Sequence, residues 1–242
     1  MAHTLEGKVA LILGGTRGIG GAISRRLAAD GASVAMLYRS RSGEAEALAG
    51  EIGAEAIPAD VADPAALLAA IDGVIARHGR IDILVNNAGT AIVGPLEDYP
   101  PDAFDRVFAV NVRAPFLAAQ RAASAMPDGG RIVTIGSALG SRSPGPGVSL
   151  YAASKSALGG LTRGLARDLG PRGITVNLVQ PGPTDTERNP ADGPHAAANR
   201  APLAIQRHGT ADEVASLVAW LASDAAAFVT GATYDIDGGW SA

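Results

Sequence analysis

Val9-Ala10-Leu11-Ile12-Leu13-Gly14-Gly15-Thr16-Arg17-Gly18-Ile19-Gly20 is the stretch that decides the fold. Five apolar residues without polar alternation read as a short strand buried on both faces, the pattern of a parallel sheet. A glycine-rich turn follows, and helical spacing begins at Gly18. Glycines at such a turn permit a sharp bend, let backbone approach a pyrophosphate, and allow close packing of helix on strand. The helix start then offers oriented N–H groups to an anion. Alone, the turn is an ordinary connection; a strand before it and a helix after it make it a dinucleotide-binding loop. The spacing is G-x-x-x-G-x-G, and the candidate contacts are Gly14, Thr16, Arg17, Gly18, Ile19 and Gly20.

The same alternation runs outward along the chain. Further strands are expected at Ser33 to Leu37, Ile81 to Val85, Arg131 to Ile135, Ile174 to Val179 and Thr233 to Ile236. Helices are expected at Gly18 to Ala29, Glu44 to Glu51, Pro64 to His78, Pro101 to Ala125, Tyr151 to Leu169 and Ala211 to Ala222. Pro64 after Asp63, and Thr210 with Glu213 three residues on, mark two of the helix starts. Strand and helix in succession specify a single doubly wound α/β domain over residues 1–242, a Rossmann-type fold with helices on both faces. Such sheets bind ligands beyond the carboxyl ends of their strands. The unusual residues cluster at those ends: Gly14 to Gly20, Asn86 to Gly89, Gly136 with Ser137, and Pro181 to Thr186. Residues 181–204 are rich in proline and poor in periodicity, and are expected to form a mobile substrate lid.

Composition narrows the function classes. With 242 residues, 47% hydrophobic and 18% charged, the chain has enough apolar material for one sizeable core. A net charge of −4 supplies no basic stripe for nucleic acid or an anionic membrane surface, so neither is an expected partner. No apolar run reaches the length of a membrane span, and the start carries no secretory pattern, so a cytoplasmic location is expected. The absence of cysteine removes disulfides, a thiolate nucleophile and a cysteine-held metal. His3, His78, His195 and His208 show no ligand spacing, and no metal site is expected.

Dinucleotide sites that prefer NAD place an acid at the end of the second strand to hold the ribose hydroxyls. Here that place holds Tyr38, Arg39 and Ser40, followed by Arg41. A carboxylate would repel a 2′-phosphate, whereas a guanidinium pairs with it, so NADP(H) is preferred over NAD(H). Arg17 can approach from the glycine loop, while Arg41 reads equally as a solvated loop charge.

Tyr151 and Lys155 stand four apart in a helix, on one face and one turn away from each other. A free phenol titrates near pH 10, and a neighbouring ammonium lowers that value toward working pH. Ser137, at the end of a strand, can donate a hydrogen bond to a substrate oxygen or serve simply as a turn residue. Asn86-Asn87-Ala88-Gly89 supports the sheet or touches a cofactor, and Asn111, near Pro115, reads as a structural amide.

Taken in order and spacing, Gly14, Gly18 and Gly20, Asn86 to Gly89, Asn111, Ser137, Tyr151, Lys155 and Pro181-Gly182 resemble the short-chain dehydrogenase/reductase family. The resemblance covers essentially the whole chain. It implies a seven-stranded parallel sheet, Tyr151 as acid/base, Lys155 also holding the nicotinamide ribose, and Ser137 orienting the substrate. It raises Asn111 to a relay residue between Lys155 and solvent. It puts Asp60 and Val61 on the adenine, and Asn87, Ala88 and Gly89 beside the cofactor. Pro181, Gly182, Thr184 and Thr186 would cover the nicotinamide and phosphates. Asp237-Gly238-Gly239 resembles the end of tetrameric members, which implies a homotetramer with residues 101–125 and 151–169 at an interface. One departure is Leu13, where the family commonly has threonine; it puts in doubt a hydrogen bond between that turn and the Asn86 region.

Within the family the chain is most similar in general pattern to the 3-oxoacyl-carrier-protein reductase-like branch. The expected activity is NADPH-dependent reduction of a ketone or 3-oxoacyl-type carbonyl. Residues 157–222 also resemble a bacterial member associated with cyclic di-GMP binding, so a nucleotide-binding regulatory role is the alternative. The substrate walls, Ala91 to Leu96, Ala138 to Leu150 and Thr184 to Ile205, contain no arginine cluster dedicated to an anion. A neutral ketone or ketoester fits them.

Overall fold

The computed structural model describes residues 4–242, so His3 lies outside the described residues. Its strands are β1 (Val9–Leu13), β2 (Ser33–Tyr38), β3 (Glu55–Pro58), β4 (Ile83–Asn86), β5 (Arg131–Ile135), β6 (Thr175–Pro181), β7 (Thr184–Asp185), β8 (Gly209–Thr210) and β9 (Thr233–Ile236). Seven of them form one parallel sheet in the order β3-β2-β1-β4-β5-β6-β9. The order reverses beside β1, between β1 and β4, and a crevice opens there at the strand ends. β3 carries no signal in the list of apolar runs. It is a four-residue edge strand, half exposed, ending in Pro58, which the outermost position tolerates.

Helices α1 (Gly18–Ala29), α2 (Ser42–Ile52), α3 (Pro64–His78), α4 (Ala103–Phe108), α5 (Ala114–Ala123), α6 (Ser149–Leu169), α7 (Ala196–Arg200) and α8 (Ala211–Ala222) complete the chain. Alternate residues of the central strands feed two cores. Ala10 and Ile12 pack with Ile23 and Leu27 of α1 and Val214 and Val218 of α8. Leu11 and Leu13 pack on the other face with Leu67 and Ile71 of α3 and Ala118 and Ala122 of α5. Burial on both faces explains why β1 has no polar alternation. The Asp63 carboxylate caps α3 by accepting from Ala65 N–H at 2.9 Å, and Thr210 with Glu213 forms a reciprocal capping box on α8. Among the described residues no helix is long and apolar enough to cross a membrane.

One expectation is corrected. The helix expected over Pro101 to Ala125 is broken: between α4 and α5 the chain makes a π turn over Ala109–Arg113. Pro115 has no N–H to give the carbonyl of Asn111, four residues back, and the helix widens there. The stretch 181–204 is also less irregular than its prolines suggest. β7 pairs with β8, α7 follows, and Ala196 and Leu203 are buried.

Candidate active site

The glycine loop is shaped by close approach. A Cβ on Gly20 would stand 2.0 Å from Gly14 O and 2.4 Å from Asn87 Nδ2, so only glycine fits. Gly14 has φ +71° and lies against Ala88. The Asn87 amide donates to Gly14 O at 2.7 Å, and Ser24 Oγ donates to Gly15 O at 2.7 Å, which fixes the loop from both sides. No side chain caps α1 at Arg17, so its first N–H groups face the crevice unclaimed.

That crevice is a cavity of about 430 Å3. Its lining brings together Gly14, Thr16, Arg17, Gly18, Ile19, Gly20, Arg39, Ser40, Asp60, Val61, Asn87, Ala88, Gly89, Ser137, Tyr151, Lys155, Pro181, Gly182, Thr184 and Thr186. Arg39 makes no ion pair among the described residues. Arg41 is turned away: in a left-handed conformation (φ +61°), it pairs with Glu44 at 2.9 Å and with Glu187 at 3.7 Å. Gly182 is pinned under the C-terminal turn, where a Cβ would stand 2.7 Å from Asp237 Cα.

At the other end of the cavity, α6 starts at Ser149 and carries Tyr151 and Lys155 on one face. Lys155 is 4% exposed; its Nζ donates to Ile135 O at 2.9 Å and lies 5.8 Å from the Tyr151 ring centre. Burial lowers its pKa to about 8, and Arg188 pushes in the same direction. The phenol of Tyr151 departs from expectation: burial raises its pKa, while a hydrogen bond with Ser137 and the charge of Arg188 oppose the rise. The hydrogen bond of the Lys155 ammonium goes to Ile135 O and not to the phenol oxygen. Ser137 Oγ also accepts from Leu139 N–H at 3.2 Å, which fixes its rotamer at the end of β5.

Asn111 stands behind the cavity wall rather than on it. Its Oδ1 accepts from Thr90 N–H, and its Nδ2 donates to Thr90 O and to Ser154 Oγ, each at 2.9 Å. The side chain is a clamp between α6 and the loop after β4. Asn86 and Leu13 are register partners, and Asn86 Nδ2 turns the other way, to Thr134 Oγ1 at 3.3 Å. Asn86 Oδ1 is buried with no partner, as expected where leucine replaces a hydroxyl residue. Glu187 and Arg188 also line the cavity and were not singled out by the sequence. They sit in an aperiodic segment, and only the fold brings them to the crevice.

A family model described as enoyl-(acyl carrier protein) reductase matches residues 14–241. The Escherichia coli (strain K12) cyclic-di-GMP-binding biofilm dispersal mediator protein is 51% identical over 236 residues, 98% of each chain. The 3-oxoacyl-[acyl-carrier-protein] reductase of the same strain is 40% identical over 97% of each chain. The crystal structure of a short chain dehydrogenase from Burkholderia cenocepacia J2315 in complex with NADP is 53% identical, covers 98% of this chain and 99% of its own, and superposes with a TM-score of 0.96.

Proposed function

We propose a function from one established premise: the chain belongs to the short-chain dehydrogenase/reductase family. On that premise it is an NADP(H)-dependent oxidoreductase that reduces a ketone or 3-oxoacyl-type carbonyl to the alcohol, reversibly. The observation that carries this reading is one cavity with Tyr151, Lys155 and Ser137 at one end and Arg17, Arg39 and Ser40 at the other.

The donor set suits a dinucleotide with a 2′-phosphate. The uncapped start of α1 and the Gly14 to Gly20 loop would hold the pyrophosphate, and Arg39 with Ser40 and Arg17 the 2′-phosphate. Asp60 and Val61 would flank the adenine, and Asn87 to Gly89 with Lys155 and Tyr151 the nicotinamide ribose. Pro181, Gly182, Thr184 and Thr186 would close over the nicotinamide end. The NADP bound by the Burkholderia relative supports this assignment. When bound, the reduced cofactor supplies hydride to the carbonyl carbon. Tyr151 gives its phenolic proton to the carbonyl oxygen, and Ser137 donates a hydrogen bond to the same oxygen. Lys155 stabilises the phenolate that remains, and Asn111 lies on the path by which the proton is replaced.

The protein works as a cytoplasmic homotetramer, where the cofactor pool lies, and residues 181–204 move as a lid over the substrate. The relative named for cyclic di-GMP binding supports a second reading, a nucleotide-binding regulator with secondary chemistry. One experiment separates them: a carbonyl panel with NADPH and NADH in parallel, plus titration with cyclic di-GMP. Consumption of NADPH, faster than of NADH and abolished in Tyr151→Phe while that variant still binds NADPH, is expected. Cyclic di-GMP binding without turnover of any carbonyl would establish the second reading instead.

A further inference from the structure

Thr186 and Asn189 close a two-residue turn on each other: Asn189 N–H donates to Thr186 O at 2.9 Å, and Thr186 N–H to Asn189 O at 3.4 Å. Asn189 is braced in turn, its Nδ2 donating to Thr184 O and its Oδ1 accepting from Asn199. The two residues at the tip diverge. Glu187 faces Arg17 at 3.4 Å, whereas Arg188 reaches the opposite wall and donates to Gly89 O at 3.3 Å.

Arg188 has no carboxylate within ion-pair distance among the described residues, and its only hydrogen bond is that long one to a neutral carbonyl. It lines the cavity with Tyr151 and Lys155, and the Gly89 that it reaches lies against the Lys155 ammonium, where a Cβ would stand 3.6 Å from Nζ; this is the reacting end of the cavity. Lys155 adds a second cation to the same end. The phosphates of the proposed cofactor have their own partners, the α1 start, Arg17 and Arg39, at the other end. A forked guanidinium in a concave site with no counter-ion is matched by a carboxylate, through two charge-assisted hydrogen bonds. Arg188 is itself exposed, so the pair is worth most where the substrate covers it from water.

We propose that Arg188 is a specificity-determining residue that selects oxo acids, carbonyl substrates with a carboxylate a few bonds from the reacting carbon, over neutral ketones and esters. This rests on carbonyl reduction in the same cavity. It replaces the neutral substrate suggested by the walls, which were read for an arginine cluster and not for one arginine.

The test compares kcat/KM, with NADPH, for acetoacetate against ethyl acetoacetate and for phenylglyoxylate against its methyl ester. Wild type, Arg188→Met and Arg188→Lys are measured, and the NADPH Kd is followed by fluorescence. Wild type should favour each acid over its ester by roughly tenfold or more, the worth of a charge-assisted pair. Arg188→Met should lose that preference through KM for the acid, and Arg188→Lys should keep part of it. Reduction of esters with no preference for acids overturns the role of Arg188 and leaves carbonyl reduction standing. An Arg188→Met variant that binds NADPH more weakly with its acid-to-ester ratio unchanged assigns the guanidinium to the cofactor, and also overturns it. No turnover of any carbonyl sinks both.

Discussion

Lys155 shows how far burial governs the single groups of this site. Its pKa falls from 10.5 to about 8 in the folded chain, with burial the larger cause and Arg188 the smaller. Between those values the unfolded chain binds more protons than the folded one, so stability rises with pH across the window. Tyr151 reverses the trend above pH 10: its folded pKa is raised, so the unfolded phenol loses its proton first and stability falls. In the absence of cofactor, the urea midpoint should therefore climb between pH 8 and pH 10, and Lys155→Met should remove the climb. A climb of the same size in the variant would mean that some other group supplies it. The four-residue spacing offered Tyr151 and Lys155 only as a plausible pair, which strand-end placement and the family's order strengthened; the family's order also put a hydrogen bond near Asn86 in doubt at Leu13, and Asn86 Oδ1 is unpaired. The direction of the phenol shift was not legible, because it depends on burial and on where the ammonium points. Arg188 was invisible for a similar reason: its neighbours Gly89, Tyr151 and Lys155 are remote in sequence.

Elements were legible where packing and local chemistry agree. α1, α3 and α8 run over the residues their apolar spacing indicates, and α3 and α8 are marked by their caps as well. They diverged where one link was short or hidden: β3 is too brief and too exposed to read as an apolar run, and Pro115 was seen without its effect on the turn holding Asn111. The two kinds of glycine in these elements behave oppositely. Gly20 is required by the 2.0 Å approach to Gly14 O, whereas Gly50, near the end of α2, is exposed, has no positive φ, and would meet nothing within 4 Å on gaining a Cβ. Alanine at such a helical site avoids the entropy that glycine loses on folding. Gly50→Ala should stabilise the protein by about 0.5–1 kcal/mol, read as a higher melting temperature with NADPH affinity unchanged. A lower melting temperature would mean that α2 meets a neighbour that a single chain does not contain.

At the scale of the whole molecule, α6, which presents Tyr151 and Lys155 to the cavity, lies beside α4 and α5, which present apolar side chains to the outside. Phe104 is 57% exposed and Phe116 43% exposed. Phe104 stacks on Phe108 with ring centres 4.2 Å apart, and Phe108, Val112, Phe116 and Leu161 line a shallow groove across α4, α5 and α6. Contiguous apolar surface of this kind marks a protein interface, and a net charge of −4 does little to hold identical chains apart. The proposed homotetramer would cover this face with the same face of another copy, an isologous contact. Light scattering should then report four chains of 24.3 kDa for wild type. Phe116→Glu would put an unpaired carboxylate into that contact, a cost of several kcal/mol that one small interface cannot absorb. The variant should fall to dimers or monomers while still binding NADPH, because Phe116 lies outside the cavity. It should also melt at a lower temperature, since α6 carries Leu161 into the groove and Tyr151 into the site, and loses support on its outer side. An unchanged particle size in the variant would place the interface on another surface, and a monomeric wild type would remove the tetramer altogether.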